Sequence, residues 1–439
     1  MFSLSDFLGT QMISAKARQL IFKYMMLDYF GMIIIILSST FYILFVIDQI
    51  GFAQASVIVS LTMFVQLLTD YPSGSIGDWI GQRWVLTIAN LCYMVVYFLL
   101  FLIDTNITSF IILATILGFA NAMVSGALQT WLDNNYKQVI GDTDPERKIY
   151  GFSMARITSL RRLFLAIGVI FGGFIATLLS RRFVFLLQGS LITFYILLII
   201  ILITKEDFIN NDQFNLKDYF KFLKGGIGYT ISNKAASFFI FGLAFYNVTW
   251  LIWGNLIQMP LYFGYTGSDS LAGILRSSIL LLGIPIGMYM ANLSKQFSNK
   301  RYPHVIFIHV FLFFPLLISL LILLPINNDL NLIGFIFVLL LQITLTSTLF
   351  YIGETLRQRV MIDIIPSEHR NAVYSLIPTL ISLFGIPLIL IAGFCTESFG
   401  LPGGIVIAFV VSITGIFFIF LSIKLPHYEN SSKKLFNQI

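Results

Sequence analysis

The chain is 439 residues long, 57% hydrophobic and only 11% charged, with a net charge of +6 and a mean hydropathy of +0.88. A water-soluble domain carries about 25% charged residues, so one core could not hide this much apolar surface, and a lipid bilayer must be the solvent. The surplus of basic residues falls in short clusters, which bears on membrane orientation and not on nucleic-acid binding.

A bilayer is crossed by about 20 consecutive apolar residues, and twelve stretches qualify. The first six are 24–47, 55–76, 84–103, 107–134, 152–179 and 183–203; the second six are 235–263, 271–292, 305–324, 332–361, 374–395 and 401–425. Their lengths and Gly/Pro punctuation favour helices over barrel strands, which alternate over about ten residues. The N-terminus shows no short apolar region with a small-residue cleavage site, so the first stretch is expected to serve as a retained anchor. With the N-terminus in the cytoplasm, the inner segments hold Lys16, Arg18, Lys23, Arg83, Lys137, Arg147, Lys148, Lys295, Lys300, Arg301 and Arg370, and the outer loops hold only Arg181 and Arg182. That asymmetry predicts both termini on the cytoplasmic side.

Between the first two long stretches and the third lies PSGSIGDWIGQR, residues 72–83, which sets Gly74, Asp78, Gly81 and Arg83 in a polar turn. Residues 205–234 form the longest polar interval and divide the chain into 1–204 and 235–439, with six predicted helices each. The two parts repeat. Pro72-Ser73-Gly74 returns as Pro285-Ile286-Gly287 near the end of the eighth stretch, and DPERKIYGFS (144–153) returns as PSEHRNAVYS (366–375). In the second copy Ala291 stands in the place of Asp78 and Ser294 in that of Gly81. Parallel six-helix repeats are a transporter architecture.

Residues 70–83, SGALQTWLDNN at 125–135 and IPSEHRNAVYSL at 365–376 together resemble the major facilitator superfamily, in its prokaryotic facilitator and drug-efflux-like members. Trp79 and Gln82 stand where that family's loop more often has basic residues, and helix four lacks the Arg of many efflux members. The resemblance implies two pseudo-symmetric six-helix bundles around a central cavity. Helices one, four, seven and ten would line it, and one bundle would rock against the other to give alternating access. Asp78 would act as a gating latch against the start of helix eleven near Tyr374 and Ser375.

On the implied lining helices the uncharged polar candidates for the substrate cavity are Tyr42, Asn121, Gln129, Asn247, Gln258 and Gln342, with Trp250 as a flat contact surface. Arg276, alone in helix eight, reads as a substrate contact or as a tie to a backbone carbonyl or a distant acid. Arg161 and Arg162 sit on helix five, where Asp133 of helix four is the expected partner. Glu354, one turn before Arg357, is the best candidate for a protonatable coupling group, the rival reading being a structural salt bridge. Such a cavity is amphipathic and suits a sugar, a nucleoside-like or zwitterionic metabolite, or an amphiphilic drug.

Enzyme signatures are missing: there is no HExxH, CxxC, GxxxxGK[ST] or convincing Ser–His–Asp set. No metal or cofactor is expected. Cys92 and Cys395 read as small core residues, and Asp142-Thr143-Asp144 as a solvated turn. The outer acids Asp48, Asp104, Asp269, Asp329 and Glu397 look scattered, which argues against a membrane-embedded transferase. The sequence therefore predicts an all-α, twelve-helix secondary transporter of a small organic solute. Uniport and proton symport both stay open, and the expected setting is the plasma membrane, as a monomer. A transport-incompetent receptor or scaffold of the same fold is the rival.

Overall fold

The computed structural model describes residues 4–102, 106–140, 144, 147–203, 227–323 and 329–425. Twelve helices among them are long and apolar enough to cross a membrane. In order they are Ala15–Ile36, Tyr42–Asp70, Gln82–Leu102, Ile107–Ile140, Lys148–Leu178, Arg181–Leu202, Lys234–Thr266, Asp269–Met290, Asn299–Leu321, Leu332–Ile364, Leu376–Phe399 and Leu401–Lys424, here spans one to twelve. The described residues contain no strand. The expected all-α membrane fold is what forms.

Span six shows why such a sequence makes a bilayer helix. Val184, Gln188, Ile192, Tyr195 and Ile199 recur every three or four residues and are buried, while Phe194, Leu197 and Ile201 are exposed on the other side. Both faces are apolar, as lipid on one side and protein on the other require. The Ser180 hydroxyl caps the start by accepting from the Phe183 N–H at 3.0 Å.

The packing scheme repeats with the sequence. Span one packs on five and six, and span seven on eleven and twelve. Span three packs on four and six, and span nine on ten and twelve. Each pair in the first set has its counterpart six spans later, as a duplicated six-helix chain requires.

Two compact units emerge. The first takes Met1–Gln49, Leu61–Phe214 and Ser268–Leu281; the second takes Ile50–Ser60, Asn215–Gly267 and Leu282–Ile439. In the first unit, Gly172 of span five lies so close to span one that a methyl group there would sit 1.7 Å from the Leu37 carbonyl oxygen.

Several helix limits differ from the sequence expectation. Span one starts at Ala15, capped by the Ser14 hydroxyl on the Ala17 N–H at 3.2 Å, because Lys16, Arg18 and Lys23 extend a helix beyond its apolar stretch. The expected polar turn at 72–83 is a single residue. The helix Tyr42–Ile80 runs through Gly74 and Asp78 and stops at Gly81, whose φ of 87° and ψ of 150° suit only glycine, and a new helix begins at Gln82. Arg83 lies in that second helix with its guanidinium 5.6 Å from the Trp84 ring centroid. The side chains of Asp78 and Ser375, which the latch would need, fall outside the described residues, as does most of 205–234.

Three spans of the predicted lining set carry irregular backbone. The stretch expected as helix one, 24–47, is broken at 37–41, just past the end of span one; span four is broken at Ser125-Gly126, and span seven by a π-helical turn at Trp253–Ile257. Irregular backbone at membrane depth persists where protein covers it or a cavity borders it. Span ten lies in one continuous helix, Asp329–Ile364.

Candidate functional site

The first unit holds a half-open cavity of about 260 Å³. Its polar lining comes from Tyr24 and Asp28 on span one, Asn90 on span three, Gln129 on span four, Arg161 on span five and Tyr195 on span six. Met32, Ile35, Leu86, Val124 and Leu128 supply the apolar wall. Gly126, at the break of span four, takes a φ of 73° and also borders the space. A β-carbon there would cost roughly 1 kcal/mol in backbone strain, although it would meet no atom within 4 Å.

At the cavity wall Arg161 grips Asp28 with a two-pronged fork, Nε to Oδ2 at 2.9 Å and Nη2 to Oδ1 at 2.8 Å. The Asp28 side chain is only 5% exposed and that of Arg161 29%, so the pair turns its cation toward the open side. Asp133, the partner expected for Arg161, instead accepts from the Tyr150 hydroxyl. The reason is placement on the helix: Asp28 faces span five directly, whereas Asp133 lies one turn beyond Gln129 and meets the start of that span.

Gln129 joins these groups. Its Oε1 accepts from the Tyr24 hydroxyl at 3.0 Å, and its Nε2 donates to Tyr150 Oη at 2.7 Å and to Asp133 Oδ1 at 3.5 Å. The network ends at Asp144, which is 5% exposed and accepts from the Tyr136 hydroxyl at 2.9 Å, the Tyr150 N–H at 3.0 Å and the Ile149 N–H at 3.2 Å. Asp144 is therefore a buried cap on span five and not the solvated turn expected; Asp142 and Thr143 lie outside the described residues. Burial works to raise its pKa, but the donors from Tyr150, Ile149 and Tyr136 outweigh that and hold it below the usual aspartate value.

The second unit holds a smaller cavity of about 50 Å³ bordered by Tyr246, Asn247, Trp250, Tyr302, Glu354 and Arg357. Glu354 pairs with Arg357 one turn on, Arg357 Nε reaching Oε2 at 2.9 Å, and this is the structural salt bridge weighed from the sequence. The indole of Trp250 is not a bare platform. His309 stacks on it at 5.2 Å, Phe313 and Phe350 meet it edge-on, and the His309 Nδ1 lies 3.1 Å from the Tyr246 hydroxyl.

Other predicted cavity residues serve as ties. Asn121 accepts from the Tyr93 hydroxyl at 2.6 Å, joining spans three and four. Gln342 is 3% exposed and donates to the Phe313 carbonyl, joining spans nine and ten. Gln258 donates to Tyr262 Oη at 3.3 Å within its own helix. Tyr42 packs edge-on against Phe185 at 6.4 Å. Arg276 donates from Nη1 to the Ser39 carbonyl at 2.8 Å, the backbone-carbonyl tie rather than a cavity contact.

The expected scatter of acids also fails for two of them. Arg181 pairs with Asp269 through Nε and Nη2, each at 2.9 Å, and with Asp48 through Nη1. In the second unit Glu397 accepts from the Phe52 N–H at 2.6 Å and from the Ala53 N–H at 3.2 Å, just after Gly51 breaks the helix with a φ of 78°. Sequence reasoning did not place Tyr24, Asp28, Asn90 or Tyr195 at the cavity. The spacing of Tyr24 and Asp28, one helical turn apart on span one, was the available signal.

Comparison with known proteins agrees with this architecture. The sequence matches the family described as Major Facilitator Superfamily over residues 21–356. Direct comparison with curated proteins gives no match. Among solved structures, the nucleoside transporter NupG superposes with a TM-score of 0.69 at 13% identity, covering 92% of this chain and 99% of that one. A point mutant of NupG gives 0.67 at 14% identity, with 93% and 98% covered. At such identities the likeness speaks for the fold. The family match over most of the chain does more: this protein is an integral, multi-pass membrane protein, a secondary transporter of a small organic solute, and it belongs to the major facilitator superfamily.

Proposed function

We propose that the cavity of the first unit, lined by Tyr24, Asp28, Asn90, Gln129, Arg161 and Tyr195, holds the solute during transport. The observation that carries this reading is the Asp28–Arg161 pair on the wall of a 260 Å³ space beside the Gly126 break. Ionisable groups at membrane depth cost roughly 2.5–3.5 kcal/mol on insertion scales, and a helix that keeps them faces a cavity or a partner. Here they do both. A space of this size is close to the lower limit of about 300 Å³ for small-molecule sites, so the solute is small.

The chain works as a transporter and not as an enzyme, as a monomer in the plasma membrane with both termini in the cytoplasm and no nucleic-acid partner. Access alternates by rocking, with the Gly74–Arg83 segment as part of the gate. The charge asymmetry of the sequence supports the orientation, and the repeated packing scheme supports the rocking.

The test is solute counterflow in liposomes containing the purified full chain, over a panel of nucleosides, sugars, amino acids and organic acids. Nucleosides belong on the panel because the fold neighbours carry that description. Saturable flux of one class, reduced at least tenfold in the double variant Asn90→Leu, Gln129→Leu, is the expected result. Flux that ignores both substitutions would remove this cavity from the pathway.

A further inference from the structure

The charge arrangement of the cavity narrows the solute further, on the reading just proposed. Asp28 lies behind Arg161: the acid is 5% exposed and the guanidinium 29%, so the solute meets a cation. Arg161 spends Nε and Nη2 on the carboxylate and also engages the Tyr24 hydroxyl, so the guanidinium is held in place with its exposed side toward the cavity. The neighbouring amides are largely engaged. Gln129 uses both ends on Tyr24, Tyr150 and Asp133, and Asn90 Nδ2 donates to the Leu86 carbonyl at 2.7 Å. The Tyr195 hydroxyl donates to the Leu27 carbonyl at 3.0 Å. Among the described residues, no acid other than Asp28 borders the cavity.

An anion entering this space would compete with Asp28 for the guanidinium. Removing the partner from a buried carboxylate is strongly disfavoured, and among the described residues lining the cavity no second cation stands by to replace it. The groups facing Asp28 are Arg161 from span five, Tyr195 from span six, and Tyr24 and Tyr29 from its own helix, with Asp133 of span four farther off near Tyr24. The tyrosine hydroxyls are committed: Tyr29 donates to the Ile157 carbonyl at 3.0 Å and Tyr24 to Gln129. Protonation is the remaining way to relieve the charge.

We infer that the solute is a small monoanion carried together with one proton: its anionic group takes the Arg161 donors, and an Asp28 carboxylate oxygen takes the proton. The charges balance. The empty site holds Asp28 carboxylate and Arg161 cation, and the loaded site holds neutral Asp28, Arg161 cation and the anion, each summing to zero. Every cycle then moves one anion and one proton, with no net charge.

The experiment measures binding of lactate and benzoate, with uridine as the neutral control, to the purified full chain at pH 5.5 and 7.5. A pH dye in weak buffer records protons. Expected are one proton taken up per anion bound, an apparent Kd that rises by up to about tenfold per pH unit where Asp28 ionises, and liposome uptake driven by a pH gradient but indifferent to a potassium–valinomycin potential. Asp28→Asn should keep anion binding, lose its pH dependence and take up no proton, and Arg161→Gln should lose the anion. The wild-type proton count stands even if a variant misfolds. PH-independent binding or transport of uridine with neither acid bound would overturn the inference while leaving the cavity reading intact. Failure of every solute on the wider panel to bind or move would overturn both.

Discussion

Arg276 donates to the carbonyl oxygen of Ser39 at 2.8 Å and to the Ser39 hydroxyl at 3.1 Å. Ser39 lies in the break at 37–41 that follows span one, where the backbone leaves the helix and its carbonyls lose their usual partners. The arginine is thus the substitute donor for a carbonyl that lipid could not satisfy.

Removing that donor should destabilise the protein. Hydrogen bonds from charged groups contribute about 1.5–3 kcal/mol, so Arg276→Ala is expected to lower the thermal midpoint in detergent by several degrees. Arg276→Lys, which keeps one donor, should recover part of the loss. A midpoint unchanged in Arg276→Ala would show that the break needs no such support.

The same break constrains span five. Gly172 meets the Leu37 carbonyl, and a β-carbon at 1.7 Å cannot be accommodated by rotating a side chain, because the obstacle is backbone. Gly172→Ala should cost about 1–3 kcal/mol as overpacking and reduce the yield of folded protein in fluorescence size-exclusion profiles. Wild-type yield and midpoint would mean that spans one and five are farther apart in solution.

The Asp28–Arg161 pair makes a prediction about stability that is separate from transport. Losing one member of a buried pair costs about 3–5 kcal/mol, whereas replacing both with apolar groups is often neutral or favourable. Asp28→Leu should therefore unfold at markedly lower temperature, and the double variant Asp28→Leu, Arg161→Met should unfold near the wild-type midpoint while transporting nothing. A double variant no more stable than the single one would show that the pair holds the fold together beyond its charge balance.

Acid should loosen the cap that Asp144 forms on span five. Its folded pKa lies below the unfolded value, so its contribution is fully present above the ordinary aspartate range and is lost as pH falls through the folded pKa. Midpoints measured from pH 6 down to pH 3 should fall on the acid side, and Asp144→Asn should flatten that limb. An identical acid limb in the variant would assign it to other carboxylates.

Sequence and structure agree where the physics is one-dimensional. Twelve apolar stretches, the six-helix repeat and the family were legible because hydropathy and spacing depend only on the order of residues. Pairings were not. Arg161 went to Asp28 instead of Asp133, and Arg181 gathered Asp48 and Asp269 from distant parts of the chain, because such contacts depend on which helix faces turn toward each other. Hydropathy also hid the breaks at 37–41 and 253–257: both sit inside long apolar stretches, where Ser38-Ser39-Thr40 and Asn255 barely lower the average. Asn121 and Gln342 show the ambiguity of amides in spans, since the same carboxamide can greet a ligand or staple two helices.

The bend at Gly126 has a practical corollary. Its left-handed backbone bears on the cavity, and the direction in which a side chain would grow is vacant. A small fluorophore on an introduced cysteine would hang into the cavity, so that occupancy of that space could be watched as a change in emission, with no flux assay at all.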